Sequence, residues 1–131
     1  MGTPSGQLVT TRRRRVIPVS LTAKLQIREG QKVALMNPPS GFDLDAPTAD
    51  DPADAVVLFV RNRDELEALG EPLFGAARDD RLAWLAYPKA GQLETDLNRD
   101  TLWELTESRG VRPVRQVSID EVWSALRFRP A

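Results

Sequence analysis

The sequence contains no cysteine and no histidine. Without an imidazole, a Ser-His-Asp triad, a Cys-His pair and an imidazole-bound metal are excluded. Without a thiol, so are thiolate nucleophiles, disulfides and zinc ribbons. Neither sign of charge dominates: eighteen Lys and Arg oppose nineteen Asp and Glu, a net charge of -1, so there is no long-range field toward nucleic acid or anionic lipid. No apolar run approaches the roughly 20 residues of a bilayer span. The stretch Val16 to Thr22 is short, interrupted by Pro18 and followed by Lys24, which is poor material for a signal sequence. A cytoplasmic protein without membrane contact is the expectation.

What is present is one ordinary domain. A chain of 131 residues can bury roughly two thirds of its unfolded surface. Residues 1–18 mix Gly, Thr, Ser and Pro with Arg12 to Arg15 and show no periodicity, which predicts a flexible basic tail ahead of a single domain over 19–131. The four arginines can contact phosphates or lie against the acidic stretch 43–54, but no aromatic interleaves with them, and nucleic acid is not the expected partner.

Ser20 is placed to cap a helix running through Ile27, with Gly30 beyond it as terminator. A first strand over 32–36 stops at Asn37-Pro38-Pro39, because paired prolines cannot donate to a ladder. Residues 38–54 hold four of the ten prolines and five aspartates, a long acidic connection. Ala55 to Val60 is a continuous apolar run, as expected of a strand covered on both faces. Asn62 and Glu65 form a capping-box start for a helix with Leu66, Leu69 and Leu73 inward, broken in two near Gly70 and Pro72. Leu82 to Tyr87 is a second two-sided run, completing a strand-helix-strand crossover. A helix from Asn98 carries Leu102 and Leu105 inward and ends at Gly110. Strands over 112–119 and 124–129, joined around Asp120 to Ser124, form a terminal hairpin.

The predicted fold class is α/β: a three-layer, mostly parallel five-stranded sheet of order 1-2-3-5-4, last strand antiparallel, with helices on both faces. This order resembles a shortened class I methyltransferase-like, or Rossmann-like, fold lacking its second and third strands. More specifically, residues 21–130 resemble a small bacterial family of unknown function through Leu25-Gln26-Ile27 with Gly30, Val57-Leu58-Phe59-Val60, Tyr87-Pro88-Lys89, Thr95-Asp96-Leu97-Asn98-Arg99-Asp100 and Trp123-Ser124-Ala125-Leu126. Where that pattern often has another basic or hydroxyl residue after the Pro-Lys pair, this chain has Ala90 and Gly91.

A nucleotide site after the first strand needs close backbone N–H groups from a Gly-rich turn. Here the turn is Asn37-Pro38-Pro39-Ser40-Gly41, and both prolines lack the donor. No cofactor is therefore expected. Nor does Asn-Pro-Pro match the signature of amino-methylating enzymes, since Ser40 replaces the stacking aromatic and the tripeptide follows the first strand rather than the fourth.

In parallel sheets, ligands collect beyond the carboxyl ends of the strands. Those ends carry Asn37, Arg61 and Lys89, with Asp96, Asn98 and Arg99 in the following loop and Trp103 one turn on. Lys89 and Arg99 can hold an anion, Asp96 can orient one of these cations, and Trp103 offers a stacking face. The competing reading makes Asp96 or Asn98 a helix cap, Arg99 a local ion-pair partner and Lys89 a solvated turn lysine. The three Trp are expected mainly as core mass, Trp84 above all, with Trp123 folded back from the hairpin turn and its indole N–H in need of an acceptor.

Three functional expectations follow. The leading one is a non-catalytic module binding a protein partner or small anion at the strand ends, with no metal and no catalytic residue assigned. The second is an enzyme using Lys89 and Asp96 on a small acidic metabolite. The third is an oligomer-forming or interaction unit using the open edge of the first strand.

Overall fold

A computed structural model describes residues 20–50 and 52–131. The basic tail over 1–18, with Arg12 to Arg15, lies outside the described residues. The elements are α1 (Leu21–Lys24), β1 (Val33–Met36), β2 (Ala55–Phe59), α2 (Arg63–Leu69), α3 (Glu71–Arg78), β3 (Leu82–Pro88), α4 (Arg99–Glu107), β4 (Val111–Ser118) and β5 (Trp123–Pro130). They build one five-stranded mixed sheet of order β1-β2-β3-β5-β4, the order expected from the sequence. Pairings β1-β2 and β2-β3 are parallel, while β5 runs antiparallel to both β3 and β4.

Side chains alternate across a strand, so a run with both faces covered must be apolar throughout. In β2 every residue is buried. Val56, Leu58 and Val60 join one cluster with Leu66, Leu73, Phe74 and Leu102 from α2, α3 and α4. Ala55, Val57 and Phe59 join another with Trp84, Trp123, Leu25, Ile27 and Leu44. The first face is covered by helices. Residues 21–27 and the connection around Phe42 and Leu44 cover the second, and the only helix in those segments is the single turn α1.

Several local expectations are corrected. Ser20 does cap α1, accepting from the Ala23 N–H, but the helix ends at Lys24 and not at Ile27. Gln26 turns into the left-handed region at φ 61 and Ile27 closes the turn on the Thr22 carbonyl. The break at Gly70 is real and gives two helices, α2 and α3. It also redirects the chain, leaving Leu69, expected inward, 37% exposed. The edge of β1 is partly covered: Val33 donates to Pro47 O and accepts from the Ala49 N–H, so Thr48 of the acidic connection forms a parallel bridge there. At the other edge, β4 carries Pro113 and an irregularity between Pro113 and Arg115, features that blunt a free edge.

Candidate ligand site at the strand carboxyl ends

β1 is followed by Asn37, which adopts φ 55, a left-handed conformation that asparagine tolerates better than most residues. Its side-chain amide donates to Phe59 O at 2.9 Å, tying the end of β1 to the end of β2. The chain then leaves through Pro38 and Pro39. Asn-Pro-Pro is thus a turn that closes one strand end onto the next.

Arg61 follows β2. Its Nε and Nη2 donate to Glu65 Oε2 at 3.1 and 2.7 Å, and its backbone N–H donates to Glu65 Oε1 at 2.8 Å. Asn62 caps α2 by accepting from the Glu65 N–H, which is the expected half of the capping box. The other half is shifted by one residue, since the Glu65 carboxylate takes the N–H of Arg61. The Arg61 side chain holds the Glu65 carboxyl below its ordinary value, helped by the Arg61 N–H and the Asn37 amide and opposed by partial burial.

At the β4-β5 turn, Asp120 Oδ1 accepts from the N–H groups of Val122 and Trp123, both at 2.8 Å. This Asx-type closure makes Trp123 the first residue of β5 and not a turn residue as expected. Trp123 is 7% exposed and stacks edge-on against Phe59 at 5.1 Å, which in turn meets Phe42 at 4.7 Å. Its indole N–H has no acceptor among the described residues.

Together these ends enclose a cavity of about 470 Å3, lined by Asn37, Pro38, Pro39, Ser40, Arg61, Leu93, Val122 and Trp123. A smaller recess of about 300 Å3 shares the Pro39, Ser40, Val122 and Trp123 wall. Leu93 is 52% exposed, and both it and Glu94 sit at φ 52. Successive left-handed residues without glycine cost roughly 1–2 kcal/mol each, a strain that tends to collect at ligand sites.

The expected site residues divide. Asn37 and Arg61 share this cavity. Arg99 and Trp103, the latter 53% exposed, line a separate cavity of about 510 Å3 against β4. Asp96 accepts from the Arg63 N–H at 3.0 Å, at the start of α2, and Asn98 accepts from the Thr101 N–H at 2.8 Å as the cap of α4. Lys89 donates from Nζ to Ser118 Oγ at 2.8 Å and from its backbone to Val122 O at 2.7 Å. Lys89, Asp96 and Asn98 line neither cavity. Leu93, Val122 and Ser40 were missed, because a lining leucine or valine has no sequence signature. Trp123 carried one signal, an indole at a turn following an Asp.

Among the described residues no group of three or more acidic side chains is placed to hold a metal, and no helix is long and apolar enough to cross a membrane. No protein-family model matches the chain, and no curated protein matches it.

Proposed function

We propose that this chain is a non-catalytic binding module that takes a small organic anion with an apolar body at the carboxyl ends of β1, β2 and β3. The observation that carries the reading is the pairing, in one cavity, of an apolar wall with donors left unfilled. Pro38, Pro39, Leu93, Val122 and Trp123 provide the wall. The indole N–H of Trp123 and Nη1 of Arg61 have no acceptor among the described residues. Its volume falls within the roughly 300–1,000 Å3 of small-molecule sites. Because Glu65 already balances the charge of Arg61, the ligand is oriented by hydrogen bonds to the guanidinium edge more than by net attraction.

The wider reading belongs with this proposal: a three-layer, Rossmann-like domain with helices on both faces, related to the methyltransferase-like family resembled by its sequence, and cytoplasmic. Its turn, built from two imino acids, supports a ligand other than a nucleotide cradled by backbone amides.

A thermal-shift panel of small carboxylates, nucleotides and the sulfonium methyl donor tests it. A ligand raises the melting temperature in proportion to the logarithm of its concentration once above Kd. In a Trp103→Phe background, the emission change then reports chiefly on Trp123. The expected result is a hit among the carboxylates that quenches or shifts Trp123 and is weakened by Arg61→Ala. A hit indifferent to both Arg61→Ala and Trp123→Phe would sink the assignment.

A further inference from the structure

The opposite end of the sheet carries an arrangement that the proposed site does not use. Arg112 faces Arg129 and Arg115 faces Arg127 across the β4-β5 ladder. Residues opposite one another and residues two apart share a sheet face, so all four arginines lie on the face that holds Trp84 and Trp123. Like charges directly opposite destabilise a sheet. Among the described residues, only Arg129 of the four has a carboxylate partner, Asp80 at 3.0 and 3.1 Å.

Arg127 is the centre of the problem. Its Nη1 donates to Gln26 Oε1 at 2.7 Å, while its Nε is buried with no partner. No carboxylate pairs with Arg127, Arg115 or Arg28 among the described residues. Burial, reinforced by Arg129 and Arg115 and opposed by the nearby Asp80 carboxylate, pulls the Arg127 guanidinium below its usual value, although arginine stays cationic. A half-buried cation with an unfilled donor and no carboxylate partner contributes little to folding, and an anion at its exposed edge would offset its charge.

That anion has room. A cavity of about 360 Å3 at the amino ends of β1 to β3 is lined by Arg127, Arg28, Arg81, Gln26 and Gln31, together with Asp54 and Asp80. Both carboxylates are already engaged, Asp54 by the Lys32 N–H at 2.8 Å and Asp80 by Arg129. The lining itself holds three guanidinium groups, Arg28, Arg81 and Arg127, and two carboxylates, Asp54 and Asp80, with Arg81 further engaged by Asp79 at 3.6 Å. The guanidinium forks of Arg127 and Arg28 suit the oxygens of a phosphate group.

We propose that this cavity binds the phosphate group of a small molecule, with Arg127 and Arg28 as its principal ligands. The site lies at the other end of the sheet from the organic-anion cavity and does not depend on it.

The test titrates inorganic phosphate into the full chain at ionic strength matched with chloride, following melting temperature and calorimetric heat. A phosphate monoester and a single-stranded oligonucleotide are run in parallel. The expected result is a phosphate-specific upward shift that Arg28→Ala, a change in an exposed loop, weakens by roughly tenfold in affinity. Arg127→Met abolishes the shift while the unliganded variant melts no lower than the parent, since removing a half-buried cation without a carboxylate partner need not cost stability. Arg61→Ala leaves the phosphate response unchanged. A shift no larger than that of chloride overturns the proposal. So does an Arg127→Met variant that melts lower yet keeps its phosphate response, which assigns Arg127 to structure alone. Binding of the oligonucleotide without any response to phosphate or its monoester reassigns the arginines to a polymer and also overturns it.

Discussion

The side-chain amide of Asn37 and the carbonyl of Phe59, 22 residues apart, meet at 2.9 Å and fasten the ends of β1 and β2 beneath the candidate ligand cavity. Two properties of asparagine are used at once: tolerance of φ 55 and a side-chain donor. Asn37→Gly keeps the backbone and loses the bond, a cost of about 1 kcal/mol. Asn37→Ala loses both and is expected to cost about 2 kcal/mol. Urea unfolding midpoints measure both; equal costs would show that the backbone conformation carries no strain.

Gly70 joins α2 to α3 in ordinary helical geometry at φ -76, so its role is space and not conformational freedom. A Cβ there would stand 2.5 Å from the Leu66 carbonyl oxygen and 2.7 Å from the Phe74 ring. Phe74 is buried and cannot retreat without disturbing the core. Gly70→Ala is expected to destabilise by roughly 1–3 kcal/mol, the range for overpacked cores. Thermal unfolding of that single variant decides it, and an unchanged midpoint would mean the junction can open.

Trp84 is fully buried in β3 and its indole N–H donates to the Leu25 carbonyl at 2.8 Å, fixing residues 21–27 on the second sheet face. Trp84→Phe leaves that carbonyl without its donor and removes ring volume, an expected loss of roughly 2–4 kcal/mol. Hydrogen exchange should show selective loss of protection at Leu25 and Ile27, whose amides bond to Leu21 O and Thr22 O. Uniform loss across the sheet would place the effect in the core alone.

Acid sensitivity follows from two carboxylates held below their ordinary values: Glu65, chiefly by its hydrogen bonds from Arg61, and Asp80, chiefly by those from Arg129. A depressed folded pKa contributes stability that is complete above the unfolded value, roughly 4. It is lost as pH falls through the lower folded value. Stability should therefore be flat near neutrality and fall below the usual carboxylate range. Glu65→Gln should shallow that fall. Unfolding midpoints followed downward from neutral pH check it, and an acid limb identical in Glu65→Gln would remove Glu65 as a contributor.

Much of the fold was legible because its signals are local. Ala55 to Val60 reads as a strand covered on both sides from composition alone, and every one of its residues is buried. Asn62 and Asn98 cap α2 and α4 because a short side-chain oxygen ahead of a helix is already within reach of its first N–H groups. The order β1-β2-β3-β5-β4 follows from run lengths and one short connection.

The candidate site was only half legible. Sequence marked the strand ends, and Asn37 and Arg61 do meet there. It could not tell that Asp96 reaches the start of α2, 33 residues back, or that Lys89 is taken by Ser118. Chain propensities and apolar patterning act over a few residues, so the sequence by itself determined the strands, caps and buried runs. Which polar groups face one another across the sheet depends on register and loop closure, and tertiary structure alone opposed Arg115 to Arg127 and brought Trp123 beside Arg61.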